Sequence, residues 1–408
     1  MSAEDSICWL PVGEVGEVRM GKQLSPASRA NGTQLPYLRV ANVHEGRISY
    51  LDVNLMGFSV TEQETYKLLP GDVLLNEGQE NLGMVGRSAI YDGEPGAYQF
   101  QNTLIRFRPG PRVLSDYAQA VFVNWRRCGV FARVAEKTSI SHLGGSRFAR
   151  IIFPLRTLTE QQRIVAILKA LDELEQAVEA SMAKGRQLRR GLLLAEMDSV
   201  VSSCPRRGWS RMPLKVLVPS AEYGISEALT SDPAGIPVLR MNNIQDGRSD
   251  VRDLRYCPVP VPGRLYLKRG DVLFNRTNSI EHIGKSALWR DELREASFAS
   301  YLVRLNPEQA KLLPEYLVEW LMHPVVRQRV RSISTVAVQQ VNVNPSRLRE
   351  LDIDFPDDLT EQRRIVSTLA AFDARISREL DELTKLRKLK QGLTDDLLSG
   401  KVRVREVA

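Results

Sequence analysis

Two long stretches of the chain, starting at positions 159 and 360, carry apolar residues three and four positions apart. This spacing aligns the apolar side chains on one stripe of an α-helix. Sustained over about five heptads, it indicates a coiled-coil seam. The apolar positions of the first stretch are Ile164, Leu168, Leu171, Val178, Met182, Leu188 and Leu192, and those of the second are Ile365, Leu369, Phe372, Ile376, Leu380, Leu383, Leu386, Leu389 and Leu393.

Start and stop signals flank both stretches. Thr159 is predicted as an N-cap because Gln162 follows at the capping-box spacing, and an acidic residue at 160 or 361 suits the positive helix terminus. The second helix is predicted to stop at Ser399 and Gly400, where glycine takes the left-handed conformation. Helices of ~40 residues are about 60 Å long.

The segments before each helix have a different pattern. Short runs of Val, Ile, Leu and Tyr are separated by Gly, Pro, Asn and Asp, which predicts strands and turns. Gly-Asp before Val-Leu, at 71–74 and 270–273, indicates a tight turn entering a strand. Residues 114–135 and 312–331 have helical spacing. Each segment is therefore predicted to be a mixed α+β domain of roughly 150 residues.

The two halves of the chain repeat each other. Segment 158–165 returns at 359–366 with seven of eight residues identical, and 36–47 returns at 237–248 with the same offset of 201. A repeat of this size means two copies of one domain, far longer than a solenoid unit. The predicted division is 1–157 (first globular domain), 158–203 (first long helix), 204–358 (second globular domain) and 359–408 (second long helix and tail).

Each apolar stripe needs a partner surface. The simplest partner for the first helix is its own repeat, packed antiparallel as a coiled coil. The alternative is that each helix packs on its own globular domain. The predicted fold class is thus α+β, with two similar domains alternating with two long helices that pair as an antiparallel coiled coil.

Composition narrows the function only slightly. The chain has 43% hydrophobic and 26% charged residues and a net charge of +7, a balance that suits a polyanionic partner but does not require one. No apolar run reaches the ~18 residues of a membrane span, and Glu4 and Asp5 do not fit a signal sequence. A cytoplasmic protein without a membrane partner is expected. The four cysteines lie far apart in sequence without CxxC or Cys/His clustering, which argues against a disulfide framework and a structural zinc site.

The duplicated motifs resemble the DNA-specificity subunit of type I restriction–modification enzymes. They are Leu-Thr-Glu-Gln-x-Arg-Ile-Val at 158 and 359, Pro-x-Leu-Arg-x-x-Asn at 36 and 237, the Gly-Asp-Val-Leu blocks, and the closing segment 392–403. The resemblance implies that the globular units are target-recognition domains, each reading one half of a split sequence in double-stranded DNA. It implies that the helices set the gap between the halves.

The resemblance also implies partners and a division of labour. Two methyltransferase subunits would dock on the helices, and motor–nuclease restriction subunits would join for cleavage. This chain would be non-catalytic and bind no cofactor, while S-adenosylmethionine, ATP and Mg are expected in the partner subunits.

Polar residues in the loops are the candidates for DNA contact, since Asn and Gln suit adenine and Arg suits guanine. At 76–80 the first copy has Asn-Glu-Gly-Gln-Glu where the second has Asn-Arg-Thr-Asn at 275–278, a difference that reading two half-sites requires. Arg39/Arg240 and Asn42/Asn243 are the same in both copies, which favours a turn or a phosphate contact. The candidates are Arg39, Asn42, Asn76, Gln79, Arg87, Asn102, Lys137, Thr138 and Ser141 in the first domain, and Arg240, Asn243, Asn275, Arg276, Asn278, Lys285, Gln339, Gln340 and Asn342 in the second.

Other motifs have simpler interpretations. Gly284-Lys285-Ser286 lacks the first glycine of a P-loop, because Ser279 stands there; a phosphate contact to DNA or a plain turn remains. Asp352 and Asp354 alternate as on the polar face of a strand. No methyltransferase tetrapeptide and no catalytic grouping of the four histidines is present. The remaining alternatives are a specificity subunit of a related modification system and a coiled-coil scaffold that binds proteins.

Overall fold

A computed structural model of the chain describes residues 7–26, 32–79, 81–135, 141–200, 202, 204–245, 247–337 and 340–403. The chain forms two compact units, Met1–Glu179 with Glu382–Ala408, and Ala180–Asp381. Each unit contains one globular domain together with parts of both long helices. None of the helices in the described ranges is both long and apolar enough to cross a bilayer.

The first globular domain has thirteen short strands among its described residues. These strands are β1 (Cys8–Pro11), β2 (Gly16–Met20), β3 (Thr33–Leu38), β4 (Val43–His44), β5 (Arg47–Ile48), β6 (Asn54–Phe58), β7 (Val73–Asn76), β8 (Gly78–Gln79), β9 (Ser88–Ile90), β10 (Gln99–Phe100), β11 (Leu104–Pro109), β12 (Ser141–His142) and β13 (Ile152–Leu155). Its helices and the long helix that follows are α1 (Val12–Val15), α2 (Val60–Tyr66), α3 (Ser115–Arg127), α4 (Val130–Val134), α5 (Gly145–Ala149) and α6 (Leu158–Glu196).

An antiparallel sheet in the order β2-β11-β7-β9 forms the centre of the first domain. Helix α3 packs on it and buries Phe122 against Phe107, Phe148 and Phe153 at ring distances of 5.2–6.1 Å. A smaller sheet, β10-β3-β6, covers a second cluster of buried residues. Large aromatic side chains therefore provide much of the core of this domain.

The second domain repeats this plan with different lengths. Its strands are β14 (Trp209–Pro213), β15 (Glu222–Tyr223), β16 (Ile236–Leu239), β17 (Ile244–Gln245), β18 (Gly247–Ser249), β19 (Arg255–Cys257), β20 (Val272–Asn275), β21 (Thr277–Asn278), β22 (Ser286–Leu288), β23 (Ser297–Phe298), β24 (Leu302–Arg304), β25 (Thr335–Ala337), β26 (Gln340–Asn342) and β27 (Asp352–Pro356). Its helices and the second long helix are α7 (Leu214–Leu217), α8 (Pro314–Met322), α9 (Pro324–Ser332), α10 (Pro345–Leu348) and α11 (Leu359–Ser399).

Strands β24, β20 and β22 lie side by side as β11, β7 and β9 do in the first domain. The sheet has six strands here because β15, β18 and β17 extend it. Its core includes Trp320 and Tyr316 of α8, both fully buried. Two copies of one topology are thus confirmed.

The Gly-Asp motif forms the predicted turn in both domains. Gly71 and Gly270 have φ of +92° and +93°, the region that favours glycine. The following aspartate is buried and accepts the backbone N–H three residues before it, Leu69 to Asp72 at 2.8 Å and Lys268 to Asp271 at 3.0 Å. An arginine of the neighbouring strand region also pairs with each aspartate. The motif therefore fixes how each central strand begins.

Both helices predicted within the domains are broken in two. In the first domain Gly129, with φ of +72°, separates α3 from α4. In the second, Pro324 starts a new helix because it has no N–H to continue the old one. His323 caps that new helix, since its Nδ1 accepts from Val325 N–H at 3.3 Å. Burial lowers the pKa of His323 to about 4, which keeps the ring neutral and able to accept.

The N-cap of the first long helix lies two residues earlier than predicted. Thr157, not Thr159, caps α6: its Oγ1 accepts from the Glu160 N–H at 3.3 Å. Asp358 caps α11 in the equivalent place, accepting from the Thr360 N–H at 2.8 Å. The predicted end is confirmed, because α11 stops at Ser399 and Gly400 has φ of +82°.

A buried glutamine joins each long helix to the domain before it. Gln161 is 0% exposed. Its Oε1 accepts from Leu114 N–H, and its Nε2 donates to the carbonyls of Arg112 and Arg156, each at 2.8 Å. The side chain thus ties the first turn of α6 to the loop before α3 and to the end of β13.

The second domain repeats these bonds atom for atom. Gln362 is also 0% exposed and accepts from Leu313 N–H at 2.9 Å. Its Nε2 donates to the carbonyls of Lys311 at 2.8 Å and Pro356 at 2.9 Å. We call Gln161 and Gln362 the glutamine clamps. They explain why the repeated motif carries Gln directly after Glu.

The long helices pair antiparallel in the second unit. Arg189 of α6 bonds Asp373 of α11 through Nε at 2.6 Å and Nη2 at 2.9 Å, and it also donates to Glu319 of α8 at 2.7 Å. Further along α6, Glu196 pairs with Arg364, which lies earlier in α11. Residue numbers rise on one helix as they fall on the other, so the helices run in opposite directions.

The first unit shows the same register. Lys390 pairs with Asp172 and lies 3.4 Å from Glu175, while Arg387 bonds Glu179. Lys390 follows Arg189 by 201 residues, and Asp373 follows Asp172 by 201. One antiparallel coiled-coil pairing is therefore present in both units, and each helix also contributes to the core of a globular domain.

Part of the predicted apolar stripe is exposed. Leu188 and Leu389, at equivalent positions, are 52% and 61% exposed, and Leu380 is 48% exposed. At neighbouring positions the helices meet through polar groups or closely packed small residues. A β-carbon at Gly185, for example, would lie 3.3 Å from Ile376 Cγ1. The two predicted helices are confirmed, but the apolar face that each of them buries is narrower than predicted.

We expect Gln161→Ala to lower the free energy of unfolding by about 3 kcal/mol, because it leaves a backbone donor and two carbonyls without a partner. Urea unfolding followed by circular dichroism measures this loss. Gln162→Ala is the matched control, since Gln162 is exposed and directly adjacent. Equal stability of the two variants would contradict the clamp.

The Arg189–Asp373 and Lys390–Asp172 ion pairs lie at equivalent positions but should contribute differently to the free energy of unfolding. We expect Arg189→Ala to destabilise by about 3 kcal/mol because it leaves Asp373 and Glu319 with uncompensated charge. Burial is the largest influence on Glu319 and raises its pKa, and Arg189 opposes that rise. Lys390→Ala should cost under about 1 kcal/mol, since the Asp172 side chain is 54% exposed. Thermal melting of both variants measures the loss of stability. A larger loss for Lys390→Ala than for Arg189→Ala would contradict the greater contribution assigned to Arg189.

Candidate nucleic-acid interface

A short antiparallel ladder brings two groups of candidates together in the first domain. Strand β8 continues from the end of β7 and pairs with β12, with Ser141 opposite Gln79 and His142 opposite Gly78. These residues are more than 60 positions apart in the sequence. We call β8 with β12 the first short ladder.

The second domain has the same feature at the end of β20. Strand β21 pairs with β26, which also pairs with β25, so Thr277 lies opposite Asn342 and Asn278 opposite Val341. We call β21 with β26 the second short ladder. It brings Arg276 and Asn278 close to Gln340 and Asn342, candidates from separate parts of the sequence.

Backbone bonds establish which positions of the two ladders correspond. Leu143 N–H donates to the Glu77 carbonyl at 2.8 Å, and Val343 N–H donates to the Arg276 carbonyl at 2.8 Å. Glu77 therefore corresponds to Arg276. Counting back one residue on the other strand, His142 corresponds to Asn342.

The side chains at these matched positions have different chemistry. In the first domain Nδ1 of His142 lies 2.7 Å from Oε2 of Glu77. In the second, the Arg276 guanidinium stacks 5.2 Å from the ring centre of Tyr223. Thr277 Oγ1 donates to Asn342 Oδ1 at 2.6 Å. The scaffold is shared while the exposed functional groups differ.

Sequence reasoning missed His142, Glu77, Thr277 and Tyr223 as candidates. The four histidines form no catalytic grouping with matching Ser or Cys partners in the sequence. The available signal was the contrast between 76–80 and 275–278, which includes Glu77. The pairing of that segment with 141–142 depends on contacts across the fold that a local pattern does not reveal.

Asn76 and Asn275 face inward and are corrected as candidates for DNA contact. Both side chains are 0% exposed, and their amide nitrogen and oxygen have no hydrogen-bond partner among the described residues. Their backbone groups bond to the turn that carries Arg87 or Lys285. Asn76 and Asn275 therefore hold these turns through their backbone groups.

Asn42 and Asn243 hold a turn, one of the two roles that sequence identity favoured. Each is 2% exposed, and its Oδ1 accepts from the N–H of Arg39 or Arg240. Each Nδ2 donates to two carbonyls further along the loop. With all amide groups engaged, neither side chain is available to DNA.

The arginines before these asparagines are also engaged. Arg39 Nη2 bonds Asp52 at 2.6 Å, and Arg240 Nη2 bonds Asp253 at 3.1 Å. These pairs are partly exposed, so a phosphate could compete for the guanidinium only by displacing a carboxylate. A structural contribution to the loop is their observed role.

Arg87 and Lys285 remain accessible candidates for phosphate. Each follows a glycine with positive φ, Gly86 at +78° and Gly284 at +76°, so the motif forms a turn. Both side chains are partly exposed. Lys285 Nζ lies 3.1 Å from Gln245 Oε1, a neutral partner that does not cancel its charge.

The remaining candidates lie in several environments. Asn102 is half-buried, and its N–H donates to the Lys22 carbonyl. Asn278 accepts from Ser279 N–H through Oδ1 at 2.8 Å, and Gln340 is exposed. For Gln79 and Ser141 only the backbone is described. Lys137, Thr138 and Gln339 lie outside the described residues.

The acidic pair 352/354 is not a polar strand face. Asp354 is 0% exposed, and its Oδ1 accepts from Arg211 Nε at 2.6 Å, so a buried carboxylate of β27 pairs with a partly exposed arginine of β14. Burial is the largest influence on Asp354 and raises its pKa. Within the described ranges, no group of three or more His, Cys, Asp or Glu residues could hold a metal ion.

The chain thus consists of two similar domains, each with a polar short ladder, and two antiparallel long helices. Residues 10–182 and 224–390 match the family described as type I restriction modification DNA specificity domain. The chain therefore belongs to this family.

Known relatives agree. The chain is 20% identical to the type I restriction enzyme EcoKI specificity subunit of Escherichia coli strain K12, over 90% of this chain and 82% of that protein. It is 29% identical to the putative type I restriction enzyme MjaX specificity subunit of Methanocaldococcus jannaschii, over 47% of this chain and 45% of that protein. A solved chain from a study of assembly and conformational transition of the type I R-M system shares the fold, with a TM-score of 0.62 at 16% identity, over 97% of this chain and 98% of that one.

Proposed function

We propose that each globular domain reads one half of a bipartite DNA target and that this chain sets the sequence specificity of a methyltransferase complex. The observation that carries the proposal is the pair of short ladders. They have the same backbone pairing, yet they present His142 and Glu77 in one domain and Asn342 and Arg276 in the other. A protein that reads two different half-sites with one scaffold needs this combination.

The long helices are proposed to fix the distance between the half-sites. Each domain is tied to its own helix by a glutamine clamp, and the same antiparallel pairing is present in both units. Half-site spacing follows from protein geometry when both the domains and their connections are rigid. A clamp with three buried hydrogen bonds supplies that rigidity at the start of each helix.

The chain is proposed to act as a non-catalytic, cytoplasmic subunit that binds double-stranded DNA. Two methyltransferase subunits would supply the chemistry with S-adenosylmethionine. Motor–nuclease restriction subunits would use ATP and Mg. A duplicated scaffold supports two copies of one partner, because equivalent surfaces occur once in each repeat.

Exposed leucines at equivalent positions offer a surface for such a partner. Leu188 and Leu389 are each more than half exposed. Three residues on, Gly191 and Gly392 have open space where a β-carbon would point. A leucine beside a glycine on one open helix face can accept an apolar side chain of a partner. We propose these two places as methyltransferase contacts.

We expect cells that express this chain with its methyltransferase to carry methylated adenines within a bipartite motif, and cells without this gene to lose that methylation. Genome-wide mapping of modified bases in both strains measures this. A chain with residues 1–155 exchanged for another such domain is the matched variant, and only one half of the motif should change.

A continuous motif, or methylation that persists without the gene, would contradict the proposal. Retention of nucleic acid that is insensitive to salt would favour a protein-binding scaffold instead, because phosphate contacts give steep salt dependence.

Leu188→Ser and Leu389→Ser should each weaken the binding of one methyltransferase subunit by about tenfold, through the loss of apolar contact, and together should weaken both. Native mass spectrometry of the reconstituted complex gives the stoichiometry. Leu174→Ser is the control, since Leu174 is 50% exposed but its repeat equivalent is Arg375. Two subunits bound by the double variant with unchanged affinity would exclude this surface.

A further inference from the structure

A carboxylate–imidazole pair stands on the first short ladder. Nδ1 of His142 lies 2.7 Å from Oε2 of Glu77, and the side chains are 45% and 12% exposed respectively. The carboxylate is thus mostly covered while the ring extends towards solvent. No described residue hydrogen-bonds Nε2 of His142. One ring nitrogen is held by the protein, and the other is available.

The pair is held by a rigid framework. Glu77 N–H donates to the Thr103 carbonyl at 3.0 Å, and the Glu77 carbonyl accepts from Leu143 N–H at 2.8 Å. The His142 carbonyl accepts from Arg147 Nη2 at 3.1 Å. These bonds fix the backbone at His142, so its ring can move only by rotation about the side-chain bonds. The hydrogen bond to Glu77 restricts that rotation.

The carboxylate also determines which nitrogen carries the proton. An ionised carboxylate can only accept a hydrogen bond, so Nδ1 must be the donor. In the neutral ring, Nε2 is then the acceptor. The neutral ring, on which the assignment rests, cannot bond a phosphate oxygen, which has no hydrogen to donate, whereas a protonated ring would donate from Nε2. The natural partner of the neutral ring on DNA is an amino group, N6 of adenine or N4 of cytosine in the major groove.

The second domain provides different chemistry at this place. Asn342 Oδ1 accepts from the Thr277 hydroxyl, and its amide N–H groups add donors that the neutral His142 ring does not have at Nε2. Such donors would pair with acceptors on the bases, the reverse of the polarity at Nε2 of His142. The two ladders therefore suit different base pairs at the corresponding position of their half-sites.

We propose that Nε2 of His142 reads a base amino group in the half-site bound by the first domain, with Glu77 as its positioning residue. This inference rests on the proposed role of the domain in reading DNA. It adds the reading residue, the hydrogen-bond polarity and the class of base recognised.

The experiment uses the full chain assembled with its methyltransferase subunits. Competition binding is measured on duplexes that carry both half-sites, with each base pair of the first half-site changed in turn. His142→Ala removes the ring acceptor and should reduce discrimination at a single adenine- or cytosine-containing position by about tenfold. Glu77→Ala should weaken discrimination at that same position, because the ring is then no longer oriented.

His44→Ala is the matched control, a partly exposed histidine of the same domain that lies outside the ladder. It should leave every preference unchanged. Thermal melting confirms that the variants fold. Preferences at the other half-site should stay as in the wild type for all three variants.

Two results would overturn the assignment. A loss of affinity that is equal for all sequences would make His142 a phosphate or structural contact, and an unchanged preference profile would exclude contact altogether. Both differ from failure of the proposed function, in which the wild-type complex itself would show no bipartite preference.

Discussion

The glutamine clamp is the constraint on which the attachment of each long helix to its domain depends. Three hydrogen bonds from one buried side chain join the first turn of each long helix to two separate backbone segments of its domain. A buried amide with every partner satisfied is strongly directional, and removing one member leaves unsatisfied groups in the interior. The direction in which each helix leaves its domain is therefore fixed by a local feature of the repeated motif. Capping by Thr157 and Asp358 supports the same turn from outside.

Duplication has kept the framework and changed the functional surface. The clamps, the Gly-Asp turns and the Asn42 and Asn243 turns use the same atoms in both domains. The short ladders keep their backbone pairing but exchange a carboxylate–imidazole pair for an arginine and an amide. In the proposed function, stability and specificity would reside in different residues, so that a half-site could change without disturbing the scaffold. The two ion pairs at equivalent positions of the helices have also diverged, because Arg189 reaches Glu319 of a globular domain whereas Lys390 reaches Glu175 of the same helix as Asp172.

Features governed by local physics could be predicted from the sequence. The helical period predicted α6 and α11, and Gly400 predicted the end of α11. Gly71 and Gly270 predicted the turns before the central strands. Features that depend on distant contacts could not. Period alone did not show that Leu188 and Leu389 lie outside the seam, and side-chain type alone did not show that Asn76 is buried. The pairing of β8 with β12 joins segments far apart in sequence, so the candidate ladder emerged only from the fold. Gln161 is part of the repeated motif in the sequence. Its clamp role could not be predicted, because it depends on where three backbone groups lie in the fold.

The most direct test of the account is the dependence of affinity on the spacing between half-sites. Equilibrium binding of the assembled complex would be measured on duplexes with identical half-sites and a spacer lengthened or shortened by one base pair at a time. Rigidly connected domains predict one preferred spacer and a fall of at least about tenfold on either side of it. Equal affinity across all spacers would show that the helices and their clamps do not set the distance.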